Sequence, residues 1–234
     1  MATFLEIKTR VQTRLIDLPT AVSAEVPSLV NKAMLEIQKK HNFQVMKARS
    51  NYTTTIAVRI LGAIPSDYKE FRSKPWYLTE DNGERKTIVP AKKIEDIEYF
   101  WTELDDGWPD VLVEGLPSNV ANARNFEIYP LPDGNSDYND GEYRIRVPYW
   151  KFLPDLVADG DINWFTVYAE DYLINMATAE GFAIDWDEDR MALWTQKAAV
   201  KEKEAIKHDK VQQLAGIDIL VPHHRGAREH QLIR

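Results

Sequence analysis

The spacing of apolar residues changes twice along this chain, and these two changes constrain its fold more than any other feature of the sequence. Up to His41 the apolar residues recur three or four apart, as they do on one face of a helix. From Gln44 they partly alternate, as in a half-buried strand, and near Asp161 the helical spacing returns. This order predicts an α+β protein with a β-rich insertion rather than alternating βαβ units.

The same changes predict how the chain is organised. Residues 1–50 are expected to form the helical N-terminal part of a bundle, and residues 155–215 the long C-terminal helices of the same bundle. Between them, residues 51–154 are expected to form an antiparallel, β-rich insertion. Residues 216–234 follow as an extended C-terminal arm, since Pro and Gly interrupt them and no periodic pattern remains.

Four local predictions apply inside the insertion. Asn82-Gly83 lies between two β-rich runs and predicts a hairpin turn. Residues 92–104 have the spacing of a brief helix, and residues 53–61 have the composition of a strand. Residues 126–130 and 143–150 both alternate, so they are expected to pair antiparallel through a long, exposed turn.

Two long helices are predicted in succession from residue 161 to residue 214, joined by an acidic turn at residues 185–189. Asp185, Asp187 and Asp189 match the opening of a calcium-binding loop, but Arg190 stands where that loop needs glycine. Capping of the second helix by Asp187 explains these acids better. Most of the second helix is polar all round, which is typical of a helix on a surface or against other subunits.

Composition excludes several classes of site. The chain has no cysteine, and therefore no disulfide, no thiolate nucleophile and no cysteine-ligated metal. No apolar run approaches the roughly 20 residues that span a bilayer. No nucleophile elbow, Walker loop, zinc-protease motif or dinucleotide fingerprint occurs. No basic stripe typical of a sequence-specific nucleic-acid binder is evident in the sequence. We expect no cofactor and no catalytic residue.

Three other groups of residues keep alternative interpretations open. His223, His224 and His230 are a weak metal signal without a spaced acid partner. The loop after Asp133 carries several oxygen ligands, but a solvated hairpin loop is the more ordinary outcome. The alternative function is a carbohydrate-active or sugar-binding tail component, because sugar sites combine paired carboxylates with stacking aromatics. The residues that would serve it are Trp101, Glu103, Asp105, Asp106, Trp108 and Asp110.

Charge is distributed unevenly along the chain, which has a formal net charge of −8. Residues 155–189 contain ten acids and neither Lys nor Arg, whereas the first fifty residues carry twice as many Lys and Arg as acids. This asymmetry indicates complementary surfaces, either on neighbouring molecules or between the two ends of one fold. Asp155, Asp159 and Asp171 are the candidate inter-subunit residues.

The last eighteen residues are rather apolar for a disordered terminus. Pro222 and Gly226 disfavour a helix there, so the segment cannot bury its apolar side chains by folding on itself. We expect it to dock in extended form on a partner or on a neighbouring copy. The candidate docking residues are Ile217, Ile219, Leu220, Val221, Arg225, Arg228, Leu232, Ile233 and Arg234.

Three segments resemble the head-to-tail adaptor proteins of tailed bacteriophages. They are VNKAMLEIQKKHNF, then NFEIYPLPDG with EYRIRVPYWKFLPDL, and finally DGDINWFTVYAEDYLINMATAEGFAIDWDEDRMALWTQKAAVKEKEAIKHD. The resemblance covers roughly residues 3–210. It implies a structural virion protein without catalytic residues, present as a ring of about twelve copies beneath the portal protein. The implied partners are the portal, copies of the same chain, a tail, nozzle or stopper protein below, and double-stranded DNA that passes through the lumen without specific binding. No membrane partner is implied.

Overall fold

A computed structural model describes residues 2–78, 85–91, 106–107, 109–115, 124–133 and 142–215 of the chain. The helices are α1 (Phe4–Arg14), α2 (Thr20–Lys40), α3 (Trp164–Tyr168), α4 (Glu170–Ile184) and α5 (Glu188–Ala215). The strands are β1 (Lys47–Thr53), β2 (Ile60–Ala63), β3 (Tyr68–Phe71), β4 (Trp76–Leu78), β5 (Arg85–Thr87), β6 (Val89–Ala91), β7 (Asp106–Gly107), β8 (Val111–Glu114), β9 (Asn125–Tyr129), β10 (Leu131–Pro132) and β11 (Arg144–Lys151). The predicted α+β class is confirmed.

The chain divides into two compact units. The helical unit comprises the described residues within Met1–Ile37 and Leu156–Arg234, and the β unit comprises those within Gln38–Asp155. The four-part division predicted from the sequence stays a prediction.

In the helical unit, α1 and α5 both contact α4. Thr3 begins α1 with a capping box, in which its side chain accepts from the Glu6 N–H while the Glu6 carboxylate accepts from the Thr3 N–H. Phe4, Ile7 and Val11 form the buried stripe of α1, as the helical spacing predicted. The N–H groups of Phe4 and Leu5 donate to the Asp161 and Asp159 carbonyls, both at 3.0 Å. These two bonds attach the start of α1 to the segment that precedes α3.

The prediction of one continuous helix before the acidic turn is wrong, because the chain forms α3 and α4 instead. Asn163 caps α3 by accepting from the N–H groups of Phe165 and Thr166. Ala169 then has φ −125° and ψ 22°, which are not helical angles, and α4 begins one residue later. Because of this break, α4 is a separate helix, and nine of its residues between Tyr172 and Phe182 are buried.

In the β unit, one sheet has the order β1-β11-β4-β5, with β3 also paired to β11, and a second has the order β2-β9-β8-β6. β7 and β10 form a short parallel pair. Both sheets contribute to one core, which contains Leu61, Tyr77, Ile88, Leu112, Phe126, Ile128, Tyr143, Ile145 and Val147. Hence β11 lies inside its sheet, with one face on the core and the other exposed.

Two predictions about the strands are wrong. Residues 126–130 and 143–150 do not pair, because β9 bonds to β2 and β8 while β11 bonds to β1, β3 and β4. Residues 53–61 do not form one strand, since β1 ends at Thr53 and β2 begins at Ile60. The runs on either side of Asn82-Gly83 do pair antiparallel as β4 and β5, although the turn itself and the predicted helix at residues 92–104 lie outside the described residues.

Candidate functional site

The predicted docking arm, residues 217–234, lies outside the described residues, and so do His223, His224 and His230. The docking roles of Ile217, Ile219, Leu220, Val221, Arg225, Arg228, Leu232, Ile233 and Arg234 therefore stay predictions. Of the residues considered for a sugar site, Trp101, Glu103, Asp105 and Trp108 also lie outside the described part, while Asp106 belongs to β7 and Asp110 is exposed.

Two of the three acids proposed to lie between subunits, Asp159 and Asp171, have basic partners within the helical unit. Lys8 Nζ lies 2.5 Å from Asp159 Oδ1, and Arg10 pairs with both Glu170 and Asp171. Since these pairs use basic residues near the N-terminus, part of the charge asymmetry of the sequence is compensated between the two ends of one fold. Asp155 is exposed. An inter-subunit role for Asp155, Asp159 and Asp171 stays a prediction.

The acidic turn between α4 and α5 caps a helix, as predicted. The Asp187 Oδ1 atom accepts from the Arg190 N–H at 3.0 Å, directly before α5 begins at Glu188. Trp186, in the middle of the turn, has a positive φ of 59° and is 87% exposed. The turn therefore presents a large apolar side chain to solvent among carboxylates.

No group of three or more histidine or acidic side chains within the described ranges is placed to hold a metal ion. In that same part of the chain, no helix is long and apolar enough to cross a membrane.

A cavity of about 220 Å³ in the helical unit lies beside Tyr172, Lys201 and His208. The Tyr172 hydroxyl is buried and has no hydrogen-bond partner among the described residues. Burial, together with the nearby carboxylates of Glu202, Glu36 and Glu180, raises the pKa of this hydroxyl far above its ordinary value. The group therefore stays neutral.

The exposed face of the β11 sheet is basic. The register places Lys47, Arg49, Asn51 and Thr53 of β1 beside Trp150, Pro148, Arg146 and Arg144 of β11. Paired residues of an antiparallel sheet share a face, and alternate residues of a strand point to opposite faces. We call Lys47, Arg49, Arg85, Arg144 and Arg146, with Trp76 and Trp150, the basic face.

Two guanidinium groups of the basic face are held against one aromatic ring. The Arg85 and Arg146 Cζ atoms lie 4.4 and 4.8 Å from the centroid of the Trp76 ring. Stacking on an indole fixes the orientation of a guanidinium group without using its N–H donors. Neither arginine has a carboxylate partner among the described residues, so the donors of both are available to an anionic group.

Beside this stack lies a cavity of about 280 Å³ lined by Asn51, Tyr52, Thr53, Trp76, Arg144, Ile145 and Arg146. It places the Trp76 indole beside arginine side chains. The arrangement suits a ligand or partner group that has both an apolar part and carboxylates.

Sequence reasoning missed the basic face, although part of its signal is present. Lys47-Ala-Arg49 and Arg144-Ile-Arg146 each place two cations on one face of a strand. What the sequence does not show is that β1 and β11, almost a hundred residues apart, are paired. The basic face forms only when these two strands pair.

The comparisons with known proteins agree with the resemblance. The family model described as SU10 adaptor protein matches residues 2–216. None of the curated proteins compared matches the chain. The family match includes both units and ends at the first residue of the predicted arm.

Proposed function

The chain belongs to the SU10 adaptor protein family, and from this premise we propose that it is a structural head-to-tail adaptor of a tailed bacteriophage. In this proposal about twelve copies form a ring under the portal protein of the filled head. The ring extends the DNA channel and carries a tail, nozzle or stopper protein below, so the protein is part of the virion and is not an enzyme. The family match over nearly the whole chain is the observation that carries the proposal.

Electrostatics support a channel role. Each Lys or Arg that neutralises a phosphate adds affinity for DNA, so a channel wall rich in such contacts would slow ejection. The chain has a formal net charge of −8, and in the helical unit Lys8, Arg10 and Lys32 are paired with acids. DNA is expected to pass such a surface without specific binding.

Attachment to the portal is assigned to the arm. Ordering a residue costs roughly 1–2 kcal/mol of backbone entropy, so the arm must gain apolar burial and main-chain hydrogen bonds on the portal. Ile219, Val221, Leu232 and Ile233 would supply the burial, and the three arginines of the arm would meet carboxylates of the portal. Because the same contact is repeated in every copy around the ring, a modest affinity per copy is expected to give stable docking.

Co-sedimentation with portal rings encoded by the same genome tests this function. The full chain is expected to sediment with the rings, and a chain that ends at Gly216 is expected to stay folded but remain in the supernatant. Ile219→Ser with Val221→Ser should weaken binding, whereas Gln231→Ser serves as the matched control and should not. Failure of the full chain to bind would refute the function, while full binding by the truncated chain would refute only the role of the arm.

A further inference from the structure

Two sets of charges lack an opposite partner among the described residues: Asp185, Glu188 and Asp189 in the helical unit, and Arg85 and Arg146 in the β unit. In the helical unit, the basic residues near the N-terminus pair with the acids Asp159, Glu170, Asp171 and Glu180. The acids of the turn after α4 differ, because Asp185, Glu188 and Asp189 have no basic partner among the described residues. In the β unit, Glu70 is the one acid that the described register places on the basic face, where it lies beside Trp150, away from the cavity.

We propose that the basic face binds the acidic turn of a second copy of this chain, with Trp186 of that copy entering the cavity beside Trp76. The inference deepens the proposed function, on which it rests, by naming a contact between neighbouring copies in the ring. Each copy offers one basic face and one acidic turn. Such a head-to-tail contact is heterologous, and repeated contacts of this kind close into a ring when the rotation allows.

The two surfaces match in chemistry as well as in charge. The turn presents an exposed indole flanked by Asp185 and Glu188. The face presents an indole flanked by Arg85 and Arg146, neither of which has a carboxylate partner in the described part of the chain. Guanidinium groups bind carboxylates in bidentate fashion, and Trp and Arg are the residue types that contribute most to protein interfaces.

The indole of Trp76 at the cavity favours a partner with an exposed aromatic side chain over duplex DNA. Trp76 and the two arginines of β11 line the cavity on the basic face, whereas the side chains of Tyr52 and Ile145 belong to the opposite, core-facing side of the sheet. The backbone of a duplex offers phosphates to the arginines but no aromatic group that could pack against this indole. A tryptophan side chain can do so, and Trp186 is 87% exposed.

Cysteine cross-linking of the full chain tests the contact without knowledge of the portal. The chain has no cysteine, so single cysteines can be placed by Ile184→Cys beside the turn in one variant and by Thr53→Cys at the cavity in another. A short bismaleimide links them only when two molecules meet. Val157→Cys, at an 82% exposed position of the helical unit, replaces Ile184→Cys as the matched control. We expect about tenfold more heterodimer with the turn cysteine than with the control, the ratio that roughly 1.4 kcal/mol produces.

Charge exchange separates this contact from a general loss of structure. Arg85→Glu with Arg146→Glu on the Thr53→Cys chain should abolish the enrichment. So should Asp185→Lys with Glu188→Lys on the Ile184→Cys chain, and combining the two reversed chains should restore it. Raising the salt concentration should weaken the enrichment, because charges at the rim are screened.

Any of three cross-linking or DNA-binding results would overturn the inference: equal cross-linking of the turn and control cysteines, loss without restoration in the combined pair, or retardation of a duplex DNA probe that the face reversal abolishes. The last result would make the face a DNA-binding surface. If the reversed variants still form rings on portals, this contact is wrong while the adaptor function stands.

Discussion

At the residue scale, Asp187 shows how one side chain fixes the start of a helix. Its carboxylate accepts from the Arg190 N–H at 3.0 Å and its charge lies at the positive end of the α5 dipole. The sequence was sufficient to predict this, because capping depends only on residues three apart.

Replacing Asp187 by Ala should therefore lower the free energy of unfolding by about 1 kcal/mol, since an N-terminal N–H of α5 loses its acceptor. Asp187→Asn, which keeps an acceptor of similar capping strength, should cost much less. Urea denaturation of the three proteins measures the difference. Equal loss in both variants would show that the charge matters rather than the cap.

A buried phenol predicts how stability depends on alkaline pH. The Tyr77 hydroxyl has no hydrogen-bond partner among the described residues. Burial, with smaller contributions from Asp110 and Asp133, raises the pKa of Tyr77 to about 12. Since the unfolded chain releases this proton near pH 10, the stabilisation is complete below pH 10 and is lost as the pH rises towards 12.

In Tyr77→Phe the free energy of unfolding should consequently fall less steeply between pH 10 and pH 12 than in the native chain. Below pH 10 the two slopes should agree, which provides the internal control. Chemical denaturation at several pH values measures both. Identical slopes above pH 10 would mean that the hydroxyl titrates alike in the folded and unfolded chains.

At the element scale, the approach of α4 to the end of α1 depends on Gly181. A Cβ atom at this position would lie 2.6 Å from Cδ1 of Leu15, which is itself fully buried. The glycine permits close packing at a place where helix propensity alone would favour Ala.

Gly181→Ala should thus destabilise the protein by about 1–3 kcal/mol through overpacking, although Ala gains about 1 kcal/mol of helix propensity. Gly160→Ala is the control, since no heavy atom lies within 4 Å of its added Cβ. In a Leu15→Ala background the cost of Gly181→Ala should shrink, because the clash is gone. A stabilised single variant would show that Leu15 moves freely.

The helices were more predictable than the sheets for a physical reason. Helix positions follow from residues three or four apart, so the buried face of α1 and the start of α5 could be inferred from the sequence. Strand partners are not local: β11 pairs with β1, almost a hundred residues away, and not with β9. In both β9 and β11 apolar and polar residues alternate, but this pattern does not specify which neighbouring strand each one pairs with.

At the scale of the whole molecule, one of the two candidate assembly surfaces, the arm, could be predicted from the sequence, whereas the other, the basic face, could not. The arm was inferred from its own composition, because an apolar segment broken by Pro and Gly needs no knowledge of the fold. The basic face was not inferred, because Arg146 and Trp76 come together only through the pairing of β4 with β11. An acidic chain thus carries a concentrated positive surface that its net charge of −8 conceals.

The proposed adaptor function requires copies of this chain to form a ring on the portal. Native mass spectrometry of portal rings saturated with the full chain measures this directly, because it counts the copies in each complex. We predict one dominant complex with one copy of this chain for every portal subunit, about twelve in all, without free intermediates once the ring is complete. Portal rings that bind no copies, or that bind a scattered number of copies at saturation, would contradict the account.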